Sequence, residues 1–198
     1  PVRLAHDRYQ QFQGGIKRHP IKMRSRIGID RKSGKITAFA ADHVLDGGGL
    51  ANFSANVATV AATAAIGIYD IPKVDVTTVA VHSRGVTAGS MRGYGTLQTM
   101  TALEVLIDEA ASELKVDPIA LRKRWDPDPN RQRLYDWASG LDIWRNRKPQ
   151  QTGRYRRGIG VATGVRAWLE ARARTIATLR CLGASARLIF AVFLLQVL

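Results

Sequence analysis

The sequence predicts an α+β fold, in which a mixed β-sheet packs against helices and an unrelated C-terminal α-helical segment follows. Two β-type runs, 21–29 and 35–45, are joined by a polar turn that closes at Gly34. Residues 98–114 place apolar side chains at three- and four-residue steps, which is the period of an amphipathic helix. After Gly164 the strand-like pattern becomes helical, which predicts a separate final unit.

The remaining elements follow in chain order. The second strand ends at the glycines 47–49, which release the chain toward a ligand or toward a crossing segment. Residues 51–68 are rich in alanine and predict a helix that packs closely on the sheet, and residues 74–81 alternate as a third strand. A short helix begins at Asp117, with Pro118 in its first turn. The polar segment 126–157 predicts connecting structure that packs loosely.

The composition narrows the class of protein. A chain of 198 residues with 45% hydrophobic content can build a core, and its net charge of +14 suits nucleic acid or an anionic membrane. The arginines are spread along the chain, however, and no zinc-finger, helix-turn-helix or RNA-binding aromatic pattern is present. A solvated surface or acidic partner subunits explain the charge better. The start, Pro1, is typical of a sequence that begins inside a longer protein.

Metal and disulfide chemistry have little support in the sequence. The single cysteine, Cys181, forms neither an internal disulfide nor a thiolate cluster within this chain. The four histidines are scattered and no pair has metal-ligand spacing, so each is expected to be packed or solvated. No metal ligand is therefore assigned. The histidines are His6, His19, His43 and His82.

The candidate functional segment is the run Ser-Met-Arg-Gly-Tyr-Gly-Thr-Leu-Gln at residues 90–98. Gly93 and Gly95 allow the backbone to approach a ligand, while Arg92 adds a cation and Tyr94 an aromatic ring. The amphipathic helix follows at once, so its positive end and free amide groups would face an anion on the turn. A structural turn without a ligand has the same pattern and is the alternative.

The neighbours of this turn carry a family resemblance. With Arg18-His19-Pro20 upstream and Tyr69-Asp70-Ile71-Pro72 between, residues 1–165 resemble the molybdenum-binding large subunit of the xanthine dehydrogenase and aldehyde oxidase family. In that family the turn is written Arg-Gly-Phe-Gly or close to it. The resemblance implies that residues 1–125 are a fragment of the molybdopterin-binding domain and that residues 126–165 are a linker and the start of the next β unit.

The resemblance also implies a site and a reaction. Met91, Arg92, Gly93 and Gly95 would bind the molybdenum–molybdopterin cofactor in its cytosine dinucleotide form, and Tyr94 would contact the substrate. The parent enzyme would hydroxylate aldehydes or N-heteroaromatic compounds with oxygen from water. Electrons would leave through iron–sulfur and FAD groups on partner subunits. The family's catalytic glutamate has no match in this chain, so no catalytic residue is assigned and the chain alone is expected to be inactive.

Three further residues refine that expectation. In purine-oxidising members an arginine that contacts substrate lies at the position of Val60, so purine oxidation is disfavoured here. Gln98 is expected to cap or pack, and Ser90 either donates to the cofactor or serves the turn. The resemblance leaves a cytoplasmic and a periplasmic location open for the parent enzyme.

The C-terminal segment has a second resemblance. Residues 166–198 pass from a basic amphipathic pattern into the apolar run 188–198, which is shorter than the roughly twenty residues of a membrane helix. The segment resembles the stretch before a membrane helix in permeases of the FtsX and MacB type. This resemblance implies membrane contact and a competing function as a membrane-associated transport protein, and a basic interaction protein is a further alternative. An amphipathic helix with a buried end is the alternative. The two resemblances together predict a chimera joined near residues 164–166, by recombination or by sequence assembly error.

Overall fold

The computed structural model describes residues 2–147, 154–155 and 157–164. Residues 1–164 form one compact unit. The predicted permease-like helix at 166–198 lies outside the described residues, and so does Cys181. Within the described ranges, no helix is long and apolar enough to cross a bilayer.

Three strands and six helices make up the described part of the chain. The strands form one mixed sheet in the order β1-β2-β3, with β1 antiparallel and β3 parallel to β2. The crossover between the parallel strands contains α2, so the predicted mixed sheet with packed helices is confirmed. The first helix, α1, was not predicted. The elements are α1 (Arg8–Gly14), β1 (Ile21–Ile29), β2 (Ile36–Asp46), α2 (Ser54–Ala64), β3 (Val74–Val81), α3 (Thr96–Leu114), α4 (Pro118–Trp125), α5 (Pro129–Gly140) and α6 (Asp142–Arg145).

The predicted β-hairpin forms, and its turn shows why. The Asp30 carboxylate accepts hydrogen bonds from the backbone N–H and the hydroxyl of Ser33, at 2.6 and 2.8 Å. These bonds hold the pKa of Asp30 below its ordinary value. Gly34 has a φ of +65°, a conformation that glycine adopts without strain. The hairpin then pairs from Ile21 opposite Leu45 onward.

The core lies between one face of the sheet and helix α3. Alternate residues of β1 and β2 face the helices, whereas Lys22, Arg24 and Arg26 line the exposed face of β1. The apolar residues of α3 recur on one side, as their spacing predicts. The buried members of this core are Ile36, Phe39, Ala41, Ala65, Tyr69, Leu103, Ile107, Ala110, Ala111, Leu121 and Trp125.

A buried ion pair joins α3 to α4 inside this core. The Arg122 side chain is 0% exposed, and its Nε lies 2.9 Å from Oε2 of Glu104 while Nη1 lies 2.7 Å from Oδ1 of Asp108. The Tyr69 hydroxyl donates to Oε1 of Glu104 at 2.7 Å. The N–H and hydroxyl of Thr163 donate to the same carboxylate at 3.0 and 2.7 Å. Burial and the neighbouring carboxylate raise the pKa of Tyr69, which stays a neutral donor.

The segment predicted as loosely packed connecting structure forms helices at Pro129–Gly140 and Asp142–Arg145, so that prediction is wrong there. Asp128 caps α5 and Pro129 opens it, the same signal that marks the start of α4. Tyr135 and Trp144 are buried with Ile119 in a second apolar cluster. The two aromatic side chains were visible in the sequence, but their partner lies on α4 and could not be assigned from spacing.

The described part of residues 154–164, which the resemblance places at the start of a further β unit, contains no strand. That expectation stays a prediction. The Thr163 N–H donates to the Glu104 carboxylate instead of to a neighbouring strand. The hydrogen-bonding groups of Thr163 thus serve the buried ion pair.

Asp126 anchors the start of α5 to the end of α4. Its buried carboxylate accepts two hydrogen bonds from Arg131, at 2.5 and 2.7 Å, one from the Tyr135 hydroxyl at 2.9 Å and one from the Asp128 N–H at 3.0 Å. Burial acts to raise the pKa of Asp126, but these hydrogen bonds outweigh it and the pKa is lowered. Burial and the hydrogen bond to Asp126 raise the pKa of Tyr135.

Replacing Arg122 with alanine should lower the free energy of unfolding by about 3–5 kcal/mol, because it leaves the Glu104 carboxylate buried without its cation. Lys123→Ala is the matched control, since Lys123 pairs with Asp136 at the surface and is expected to contribute about 0–1 kcal/mol. Urea unfolding followed by far-UV circular dichroism measures both. Equal losses in the two variants would contradict the assignment.

The hydrogen bonds to the Asp126 carboxylate should also make the free energy of unfolding depend on pH. An unfolded aspartate has a pKa of about 3.9 and the folded pKa of Asp126 is lower, so its contribution is complete above about pH 5. It disappears as the pH falls through the folded pKa. Asp126→Asn should therefore be less stable than the wild type at pH 7 and nearer to it at pH 3. Urea unfolding across this range measures the difference, and a gap that is constant with pH contradicts the prediction.

Candidate functional site

The candidate turn belongs to the loop that connects β3 to α3, residues 82–95. The Ala88 N–H donates to the carbonyl of Gly47 at 3.1 Å, which ties the loop to the end of β2. A Cβ atom on Gly48 would lie 2.3 Å from the carbonyl oxygen of Val86. Of the two uses predicted for these glycines, the structure therefore shows the crossing of a neighbouring segment.

The turn itself closes by local hydrogen bonds. Gly93 and Gly95 have φ values of +71° and +74°. The N–H of Thr96 donates to the carbonyl of Tyr94 at 2.8 Å, and that of Leu97 donates to the carbonyl of Gly93 at 3.1 Å. Helix α3 thus begins at Thr96, two residues before the predicted start. The expectation of free amide groups at this helix end is wrong for these two, because both are already paired.

The two glycines of the turn have different surroundings. Gly95 is buried, and a Cβ atom there would lie 2.7 Å from the nitrogen of Ala61 and from the oxygen of Val57 on α2. Gly93 is exposed, and a Cβ atom there would meet nothing within 4 Å. Gly95 therefore allows α3 to start against α2, whereas Gly93 leaves backbone beside open space.

The side chains of the turn are largely accessible. Arg92 is exposed and makes no ion pair with any described residue, and Met91 is 46% exposed. Tyr94 is half-buried, with its ring perpendicular to that of Phe53 at a centroid distance of 5.8 Å. The predicted cation and aromatic ring thus lie on one turn. The Arg92 side chain is exposed, whereas the Tyr94 ring packs against Phe53 at the start of α2.

A segment before β1 supports this turn, and no pattern in the sequence indicates that contact. The Arg18 guanidinium donates to the carbonyl of Arg92 at 2.7 Å and to that of Gly93 at 3.2 Å. The Gln98 side chain donates to the carbonyl of His19 at 3.2 Å. Of the two roles expected for Gln98, capping and packing, this contact corresponds to packing. The partners lie 74 residues or more apart, beyond the reach of any local pattern.

The buried histidines near the site are structural. His19 Nε2 lies 2.8 Å from the Ser54 hydroxyl, and burial lowers its pKa despite the charge of Asp46. His43 Nδ1 lies 3.0 Å from the Thr78 hydroxyl, and burial lowers its pKa as well. Both rings are therefore neutral at pH 7. The part of the chain that the structure describes contains no group of three residues able to hold a metal ion.

Val60 and Ser90 also have roles that the resemblance implies. Val60 is half-buried on α2 and directly precedes Ala61, whose nitrogen approaches Gly95. The role expected of Val60 in substrate choice stays a prediction. Ser90 is exposed and has no hydrogen-bond partner among the described side chains.

The molybdopterin cofactor-binding domain matches residues 1–125. This match covers more than half of the chain, and the chain belongs to that family. Its relatives are proteins of the xanthine dehydrogenase and aldehyde oxidoreductase group, so the molybdopterin-binding part of the sequence-based prediction is confirmed.

Several relatives show the extent of the likeness. A probable xanthine dehydrogenase subunit of Bacillus subtilis is 33% identical over 63% of this chain, and the aldehyde oxidoreductase of Megalodesulfovibrio gigas is 28% identical over 83% of it. Among solved structures, the Desulfovibrio gigas aldehyde oxidoreductase covers 61% of the chain with a TM-score of 0.53 and 30% identity. The quinoline 2-oxidoreductase of Pseudomonas putida covers 63% with a TM-score of 0.56 and 26% identity.

The chain is short beside these relatives. It spans 16% of the Bacillus subtilis protein and 20% of the Megalodesulfovibrio gigas protein. In the two solved structures it spans 13% and 16% of the chain. The described fold is therefore equivalent to one portion of a much larger subunit.

The two glycines of the turn should respond differently to alanine. Gly95→Ala should cost at least about 3 kcal/mol, because the new Cβ overlaps the backbone of α2 and adopts a strained positive φ. Gly93→Ala should cost only about 1–2 kcal/mol, since the strain is present without the overlap. Urea unfolding of the pair measures the difference, and equal costs would show that the contact with α2 is unimportant.

Proposed function

We propose that this chain contributes residues 91–95, called here the Arg92 turn, to the cofactor site of a molybdenum hydroxylase large subunit. The parent enzyme would oxidise aldehydes or N-heteroaromatic compounds with water as the oxygen source. The observation that carries the proposal is the exposed Arg92 side chain, which pairs with no described residue, beside the open backbone of Gly93 in a chain of a molybdopterin-binding family.

The residues of the turn suit an anionic pterin cofactor. Its phosphate requires a cation, and the Arg92 guanidinium can donate two parallel hydrogen bonds to phosphate oxygens. Backbone can approach closely at Gly93, where even a Cβ would meet no neighbour within 4 Å. Met91 is exposed at the same turn. Gly95, by contrast, is buried against α2, so its part in the site is to fix the turn.

Each side chain has a distinct task in this proposal. Arg92 binds and orients the anionic part of the cofactor, and Tyr94 provides an aromatic ring against which a planar substrate rests. Val60, which has no charge, favours aldehydes and other N-heteroaromatic compounds over purines. The metal centre, when bound, supplies the oxidation of the substrate carbon.

The remaining chemistry of the reaction would come from outside this chain. No residue here corresponds to the family's catalytic glutamate, so we expect no turnover by the chain alone. The single cysteine of these 198 residues cannot bind an iron–sulfur cluster. We propose that electrons pass to iron–sulfur and FAD groups on partner subunits, as the family resemblance implies. We also propose the cytosine dinucleotide form of the cofactor, which the family resemblance implies.

Equilibrium binding of the cofactor tests the proposal. Cofactor released anaerobically from a molybdenum hydroxylase is equilibrated by dialysis with the purified chain, and the molybdenum retained with the chain measures binding. Arg92→Gln should weaken binding by about tenfold or more, because a charge-assisted hydrogen bond contributes roughly 1.5–3 kcal/mol. The change removes no described internal contact of the Arg92 side chain, so stability should be unaffected.

Arg24→Gln is the matched control, because Arg24 is equally exposed but lies on the outer face of the sheet. It removes the same charge and should change binding by less than about twofold. Equal effects in the two variants would mean that the cofactor is attracted only by net charge. Absence of binding by the wild-type chain would overturn the proposal that this turn contributes to the site.

A further inference from the structure

The segment Lys17–His19 lies under the Arg92 turn and is bound to it at several points. Arg18 donates to the carbonyls of Arg92 and Gly93, at 2.7 and 3.2 Å. The carbonyl of Lys17 accepts from the N–H of Gly89 at 3.0 Å, just before the turn. The two Arg18 contacts hold the backbone carbonyls of Arg92 and Gly93, and the Arg92 side chain is the one proposed to bind the cofactor.

The geometry of Arg18 suits this task better than that of other cations. A guanidinium presents several N–H groups in a rigid plane, so one side chain can donate to two successive carbonyls at once. Arg18 is itself half-buried, and its two terminal nitrogens are each used by one carbonyl. With both carbonyls turned toward Arg18, the backbone at Arg92 and Gly93 keeps a single orientation.

The next residue along extends the support to the sheet and to α3. The carbonyl of His19 accepts from the Gln98 side chain at 3.2 Å, in the first turn of α3. The His19 ring is buried against Ser54 at the start of α2. The carbonyl of Pro20 accepts from the N–H of Asp46 at 2.9 Å, at the end of β2. Arg18 is therefore held by a rigid segment and is not a free surface side chain.

We propose that Arg18 is a positioning residue, which orients the Arg92 turn for cofactor binding through the backbone carbonyls of Arg92 and Gly93. This inference rests on the proposed function of the turn. Arg18 acts through Arg92 and makes no contact with the cofactor of its own. Its loss should therefore reduce binding only when Arg92 is present.

Hydrogen–deuterium exchange of the cofactor-free chain tests the structural half. In Arg18→Gln the amides of Thr96 and Leu97, which donate within the turn, should exchange about tenfold faster, equivalent to roughly 1.4 kcal/mol of lost local protection. Exchange at Ile107, in the buried centre of α3, should not change. Arg24→Gln is the control and should leave the turn as in the wild type. Unchanged exchange of the turn in Arg18→Gln overturns the proposal.

A double-mutant cycle tests the functional half with the same equilibrium dialysis. Arg18→Gln should weaken cofactor binding by about fivefold to tenfold in the wild-type background and by less than about twofold in the Arg92→Gln background. Equal losses in both backgrounds would indicate direct contact or general destabilisation, and would overturn the positioning role. Arg18→Lys keeps the charge but not the two-pronged geometry, so it should fall between Gln and wild type. Full binding by the lysine variant would show that charge alone matters and would also overturn the role.

The two proposals fail in different ways. If the wild-type chain binds no cofactor, the proposed function fails, and the exchange experiment still decides whether Arg18 holds the turn. If the wild type binds cofactor, Arg92→Gln weakens binding and Arg18→Gln changes neither exchange nor binding, then only the positioning role is overturned. If Arg18→Gln does not fold, Arg18→Lys supplies both measurements, and exchange of its turn at the wild-type rate overturns the proposal.

Discussion

A charged arginine with no solvent exposure must have every one of its contacts satisfied by protein, and Arg122 imposes that requirement on the fold. Its cation requires the Glu104 carboxylate, which in turn accepts from Tyr69 and Thr163. Four separate segments of chain are thereby brought to one point. Because Glu104 lies on α3, the position of that helix is fixed by charge as well as by apolar packing. The turn at the N-terminus of α3 inherits this fixed position.

Local order in the sequence predicted a large part of the fold. The hairpin, the alanine-rich helix, the third strand and α3 all follow from periodicity and turn residues, and all are present. Helices α5 and α6 were missed because a polar, proline-containing stretch was taken as a linker, although Asp128-Pro129 is the same start signal as Asp117-Pro118. The hydrogen bond from the Thr163 N–H to Glu104 could not be predicted either, because the two residues are remote in sequence.

The candidate site divides in the same way. Arg92, Gly93 and Tyr94 could be predicted from the turn itself, and the family match supports the class of cofactor while their individual roles stay predictions. The contact of Gly95 with α2 could not be predicted, since nothing near Gly95 in sequence indicates that Val57 and Ala61 lie beside it. The role of residues 166–198 also stays a prediction, as they lie outside the described residues.

The support of the Arg92 turn by residues 17–19 has a consequence for how this domain can be shortened. Residues 2–20, the described part of this stretch, contain no strand of the sheet and contribute only His19 to the buried residues, so the stretch looks dispensable for folding. Yet removal of that stretch would delete the Arg18 guanidinium, which donates to two carbonyls of the Arg92 turn. It would also delete the His19 carbonyl, which accepts a hydrogen bond from Gln98. A truncation that begins at β1 would keep the sheet and core while losing the geometry of the site, so folding alone is not a sufficient criterion for a minimal domain.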